Sequence, residues 1–138
     1  MKRPAPKKVL LVDDSRVIRE RLLSLIAELP DIEVVGKAER VAEAIRKIRT
    51  LRPQIVVLDI SLPDGNGMQV LEAIRKMRRP LPRVIMLTNF AHEAYREKCL
   101  ELGAEYFFDK SAEFEEAVEV IKELSQTPSR ATARLVRS

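Results

Sequence analysis

Five side chains define the chemistry open to this sequence: Asp13, Asp14, Asp59, Thr88 and Lys110. Each closes or follows a short apolar run. Val9-Leu10-Leu11-Val12 leads to the paired aspartates, Ile55-Val56-Val57-Leu58 to Asp59, Val84-Ile85-Met86-Leu87 to Thr88, and Tyr106-Phe107-Phe108-Asp109 to Lys110. Parallel strands would bring these ends to one edge of a sheet, where open α/β sheets hold their ligands. Three carboxylates gathered there repel one another. A hard cation such as Mg²⁺ resolves the repulsion, because it takes oxygen ligands and keeps several waters. A buried lysine beside them adds a second positive charge. Such a site suits an anionic, oxygen-rich group, and a phosphoryl group fits.

The elements that must position these residues are legible in the hydrophobic pattern. Unbroken apolar runs read as strands buried on both faces, and five are expected, near residues 8–13, 32–38, 54–59, 83–88 and 106–109. Between and after them the apolar period becomes helical. Val17, Ile18, Leu22, Leu25, Ile26 and Leu29 predict an inward helix face, with Arg16, Arg19, Glu20 and Glu28 turned outward. Asp14-Ser15 supplies its cap. Further helices are expected over 41–51, 68–77, 91–102 (ended by Gly103) and 114–124, with a turn-rich loop from Ser61 to Gly67. Strands alternating with helices imply a parallel sheet with right-handed crossovers and helices on both faces.

The chain has 138 residues, a single-domain length. One cysteine, Cys99, excludes a disulfide framework and a cysteine-based zinc site. One histidine, His92, excludes a histidine metal cluster. Both read as ordinary residues, Cys99 packed in a helix and His92 solvated. No run approaches 18 apolar residues, so no membrane span is expected and the chain reads as cytoplasmic. The net charge of +4 comes from the ends. Residues 1–8 carry Lys2, Arg3, Lys7 and Lys8, and residues 126–138 carry Arg130, Arg134 and Arg137, with no acid in either stretch. The body is therefore acidic, and the expectation is that the domain itself binds no nucleic acid. Its charge is segregated all the same: residues 37–83 hold 11 basic and 5 acidic side chains, residues 101–125 hold 2 and 8. These are either solvated helix faces or two surfaces of opposite sign for different partners.

Val12-Asp13-Asp14, Leu58-Asp59-Ile60-Ser61-Leu62-Pro63-Asp64-Gly65-Asn66-Gly67, Met86-Leu87-Thr88 and Gly103-Ala104-Glu105-Tyr106-Phe107-Phe108-Asp109-Lys110 occur in this order, each at a strand end. In these motifs residues 8–125 resemble the receiver domain of two-component response regulators, of the chemotaxis type. The resemblance implies a flavodoxin-like, doubly wound (βα)₅ fold with strand order 2-1-3-4-5. It divides the chain into a basic tail, 1–7, the receiver, 8–125, and an Arg-containing tail, 126–138. It implies that Asp59 is the phosphoacceptor. Asp13 and Asp14 would hold Mg²⁺, one directly and one through water, and the Ser61 carbonyl would complete the protein ligands. Lys110 would pair with a phosphoryl oxygen, Thr88 would offer it a hydroxyl, and Phe107 would be the switch aromatic. The phosphoryl donor would be a sensor histidine kinase or phosphotransfer protein. The output would be a protein effector contacted through the fourth helix, fifth strand and fifth helix, by a monomer or a weak phosphorylation-dependent dimer.

Ser61, Asn89 and Phe90 depart from the usual receiver residues and flank the path of a hydrolytic water. They bear on the lifetime of the phosphorylated state. The leading reading is a stand-alone receiver that is not an enzyme beyond its own phosphorylation and dephosphorylation. One alternative is the receiver of a DNA-binding transcription factor. Another is a Mg²⁺-dependent phosphatase, which would need an acid where Ser61 stands. A flavin-binding reading lacks a phosphate-cradling loop after the first strand.

Overall fold

The computed structural model describes residues 5–126. The basic and Arg-containing ends therefore lie largely outside the described residues. Elements run β1 (Lys7–Val12), α1 (Arg16–Ile26), β2 (Ile32–Ala38), α2 (Val41–Leu51), β3 (Ile55–Leu58), β4 (Ser61–Leu62), β5 (Gly65–Asn66), α3 (Gly67–Arg75), β6 (Arg83–Thr88), α4 (Glu93–Glu101), β7 (Tyr106–Asp109) and α5 (Phe114–Ser125). Five strands form one parallel sheet in the order β2-β1-β3-β6-β7. This is the expected doubly wound arrangement. Among the described residues the only additions are β4 and β5, an antiparallel pair of two-residue strands inside the Ser61–Gly67 turn.

Strand periodicity divides the core into two. Leu10, Val12, Val56, Leu58, Val84, Met86 and Phe107 pack on one face beneath α2, α3 and α4. Val9, Leu11, Ile55, Val57, Ile85 and Leu87 pack on the other beneath α1 and α5. Because both faces are covered, the strands carry apolar residues without alternation.

The helices are held unequally. α2, α3 and α5 each bury an apolar stripe. α4 buries only Cys99, with Leu102 just beyond its end, and leaves Tyr95 and Leu100 exposed. Gly103 takes a φ of 109° after α4, the left-handed ending expected of it.

α1 corrects two expectations. Val17 is 73% exposed and Leu25 46% exposed, so the buried stripe is narrower than the apolar pattern. Arg19, expected outward, is buried. Its Nη1 donates to the Asp13 carbonyl at 2.6 Å and its Nη2 pairs with Glu39 at 2.8 Å. The guanidinium thus satisfies a backbone acceptor at the end of β1 and keeps an ionic partner at the rim. Arg19→Ala should lower unfolding stability by about 2 kcal/mol, the cost of orphaning a buried acceptor; urea unfolding checks this.

Candidate functional site

The carboxyl ends of the parallel strands bring the five singled-out residues to one edge of the sheet. Asp13 follows β1 and Asp59 follows β3, pinned by Asp59 N–H donating to the Val12 carbonyl at 3.0 Å. Thr88 ends β6, and Lys110 follows β7, its N–H donating to the Thr88 carbonyl at 2.9 Å. Asp13, Asp59, Thr88 and Lys110 are buried; Asp14 is exposed at the mouth. Carboxylate oxygens of Asp13, Asp14 and Asp59 lie within 4.8 Å of one another. Lys110 Nζ donates to Asp13 Oδ2 at 2.6 Å and to Asp59 Oδ2 at 2.8 Å.

The electrostatics follow from one ammonium set among three carboxylates. Burial disfavours the Lys110 charge, but its two carboxylate partners outweigh burial and raise its pKa, so the proton stays on. Burial pushes the Asp13 carboxyl up, with the Asp59 charge adding to the effect. The hydrogen bonds from Lys110 and from Ser15 N–H at 2.8 Å offset this only in part. The site therefore carries more negative charge than its lysine can match. Its donors are all hard oxygens, with one carboxylate facing solvent, and this set fits Mg²⁺ better than a softer metal.

The surrounding loops are tied by side chains. Ser15, not Asp14, caps α1, its Oγ accepting from Ile18 N–H at 3.3 Å. Asn66 and Gln69 form a capping box at α3. Asp109 Oδ1 accepts from Ser111 N–H and Oγ, fastening the loop that carries Lys110, and these bonds hold its carboxyl below the usual range. Gly67 does more than turn the chain. A Cβ on it would stand 2.3 Å from the Asp59 carbonyl oxygen, so α3 abuts the backbone of Asp59 directly.

Two residues escaped the sequence reasoning. Arg19 reaches the Asp13 carbonyl from α1. Asp64 caps α2 across 23 residues, accepting from Val41 N–H at 2.6 Å and Ala42 N–H at 3.2 Å. The available signal was negative: Arg40, at the N-cap position of α2, makes no capping bond.

Thr88 Oγ1 accepts from Phe90 N–H at 3.1 Å. Phe90 is 44% exposed and lines a groove of about 180 Å³ together with Ser61, Met68 and Tyr95. Ser61 and Phe90 therefore face the same groove, and Ser61 N–H donates to Asp59 Oδ1 at 3.4 Å. Asn89 is exposed next to them. Phe107 is buried against the core, whereas Phe108 lies on the opposite face and stacks on Tyr106 at 6.0 Å. His92 is exposed at the start of α4, and burial pushes the Cys99 thiol up to about 11, leaving it unreactive.

Comparison with known proteins bears on this geometry. The family model of the response regulator receiver domain matches residues 9–122. The DNA-binding transcriptional activator DevR/DosR of Mycobacterium tuberculosis is 48% identical over 62 residues, covering 45% of this chain and 29% of that protein. Protein-glutamate methylesterase/protein-glutamine glutaminase 1 of Carboxydothermus hydrogenoformans is 35% identical over 117 residues, covering 84% of this chain and 34% of that protein. The chain thus spans about a third or less of either relative. Among solved structures, the signal receiver domain of the putative response regulator NarL from Mycobacterium tuberculosis superposes with a TM-score of 0.80 at 26% identity. That match covers 91% of this chain and all of the other. A match of this length, over the strands whose ends hold the acidic cluster, decides the family: the chain belongs to the response regulator receiver domains.

Proposed function

We propose that this domain accepts a phosphoryl group on Asp59 from a sensor histidine kinase or phosphotransfer protein and signals by changing a protein-binding surface. The observation that carries the reading is the Lys110 ammonium held between Asp13 and Asp59, with a third carboxylate at the mouth. Asp13, Asp14 and Asp59, with the Ser61 carbonyl, are the groups that would hold Mg²⁺. Bound there, the ion would neutralise charge on the transferring phosphoryl group. The chain's own residues do the rest. A carboxylate oxygen of Asp59 forms the new O–P bond in line as the P–N bond to the donor imidazole breaks, and that nitrogen takes the electron pair. Lys110, already protonated, pairs with an equatorial oxygen. Thr88 turns its hydroxyl from Phe90 N–H toward the phosphoryl group.

That turn frees the Phe90 backbone and lets α4 shift. Phe107 already packs inward, so the switch runs through Thr88, Phe90 and α4 without the ring having to turn first. The surface of α4, β7 and α5 carries Glu115, Glu116, Glu119 and Glu123, all exposed, which suits a basic protein partner bound in a salt-sensitive way. A second reading, the receiver of a DNA-binding regulator, is favoured by the mycobacterial activator, of which this chain matches a minor part. The full open reading frame separates the two.

Acetyl phosphate with Mg²⁺ should add one base-labile phosphoryl group, and peptide mass mapping should place it on Asp59. EDTA should prevent it. Label on another residue, or label that survives EDTA, would overturn the assignment.

The lifetime of the product is set by water. Phe90 offers the groove an apolar ring and Ser61 only a short hydroxyl, so neither holds a water firmly in line opposite Asp59. Phe90→Glu combined with Ser61→Asn should speed loss of phosphate about tenfold, the worth of one well-placed hydrogen bond. Following the decay of labelled protein measures this.

A further inference from the structure

The cations that outnumber acids between residues 37 and 83 converge in the fold. In a parallel βα sheet the amino ends of the strands and the carboxyl ends of the helices share one end, opposite the end that holds Asp59. Arg46 and Arg49 stand in the last turns of α2, with Arg52 just after it. Arg75 closes α3, and Lys76, Arg78 and Arg79 follow. Lys7 and Lys8 open β1 at the same end, where Lys8 N–H donates to Gln54 Oε1 at 2.9 Å. The two helix ends are tied together, because Arg52 Nη2 donates to the Arg78 carbonyl at 2.8 Å and the Pro80 carbonyl at 3.1 Å.

Two open grooves meet at Arg49. One, of about 400 Å³, also has Arg46 and Thr50 in its wall. The other, of about 340 Å³, is walled by Arg52, Lys76 and Arg78. No carboxylate lines either groove. Eight cations stand from Arg46 to Arg79 on α2, on α3 and after them; Lys47 pairs with Glu43 at 2.9 Å, and among the described residues none of the other seven forms an ion pair. One or two cations per helix end complement the helix dipole. Seven exceed that need, and clustered like charges repel.

We propose that this end of the domain binds nucleic acid through its phosphate backbone, without reading base sequence. Six of the seven cations are arginines, whose planar fork pairs with phosphate oxygens two at a time. The large exposed apolar side chains, Val17, Leu23, Leu25, Phe90, Tyr95 and Leu100, all lie on other elements. Ala42 and Ile45 floor the larger groove and Met77 the smaller, but these are small or half-buried side chains, and the basic face carries no large exposed apolar residue of the kind that anchors a protein interface. It also lacks an exposed aromatic ring on which bases could stack, which points to a duplex backbone over splayed single strands. The expectation of no nucleic-acid binding rested on the net charge of the whole body, and a net charge averages away a segregated patch. Occupancy of this end leaves Asp59 and the acidic α5 face open.

The test is fluorescence anisotropy of a labelled random-sequence DNA duplex titrated with the full chain. Binding should weaken about a hundredfold between about 50 mM and about 200 mM salt, as for about four phosphate contacts. Arg49→Glu with Lys76→Glu and Arg78→Glu should bind at least about tenfold more weakly, with a shallower salt slope. Circular dichroism melting reports whether that variant folds. The milder Arg49→Gln with Arg78→Gln should show a smaller loss in the same direction. A variant with Lys2, Arg3, Arg130, Arg134 and Arg137 changed to Gln should keep most of the affinity. The proposal fails if the tail variant loses all binding while the patch variants bind normally. It fails equally if binding ignores salt, or if the patch prefers a polyglutamate peptide to DNA.

Discussion

Asp59→Asn is expected to take up no phosphoryl label under conditions that label the wild type fully. The amide has the shape of the carboxylate, so the strand end and the Asp59 N–H bond to Val12 are retained. What disappears is the proposed nucleophile. A neutral amide oxygen holds no full negative charge to commit to phosphorus, and no other carboxylate takes its place. Asp13 is held by both Lys110 and Ser15 N–H, and Asp14 stands at the solvent edge. Covalent transfer depends on the attacking group itself, so the loss should reach the detection limit of the assay. Unchanged circular dichroism would show that the fold is not the reason. Residual labelling above a few per cent of wild type would mean that Asp13 or Asp14 can serve as acceptor.

Gly67→Val should be the most damaging single change away from the acidic cluster. An added Cβ meets the Asp59 carbonyl oxygen at 2.3 Å, its carbonyl carbon at 3.1 Å and Ile60 Cα at 3.3 Å. These are backbone atoms, which cannot swing aside as a side-chain end can. Overpacking a core costs about 1–3 kcal/mol, and a backbone obstacle places this variant at about 3 kcal/mol. Phosphorylation should fall with stability, because relief of the clash displaces Asp59 itself. Gly36→Ala is the internal control. Its Cβ meets only the ends of Leu51 and Leu10 side chains, at 3.2 and 3.4 Å, and should cost less than about 1 kcal/mol. Urea unfolding of the two variants compares them directly, and equal losses would show that the α3–Asp59 contact is softer than its geometry.

The order of strands and the residues at their ends were readable because a doubly covered parallel strand writes itself as an unbroken apolar run, and a polar cluster at the sheet edge writes itself as the polar residue that ends each run. Asp13, Asp59, Thr88 and Lys110 all follow that rule. Arg19 and Asp64 do not. A charged residue in a helix period reads as outward, and nothing local shows that the Asp13 carbonyl lies within reach of Arg19. Asp64 sits in a turn, where an aspartate already has a local explanation, and its helix begins 23 residues earlier. Val17 and Leu25 misled in the other direction. Apolar residues mark the faces that a helix can bury, and packing against β1, β2 and α5 uses only part of what α1 offers.

The seating of α4 has a thermodynamic consequence. A nine-residue helix that buries one small side chain gives up little when it moves. Re-exposing a residue of that size costs about 1–2 kcal/mol. An alternative seating separated by such a gap would be populated at about 3–16% before any signal arrives. Inverting that ratio takes only a few kilocalories of preferential interaction, which the hydroxyl of Thr88 and a new dianion at Asp59 can provide. On the proposed function, the polypeptide would work as a balance set close to level, with α4 as the pan that tips.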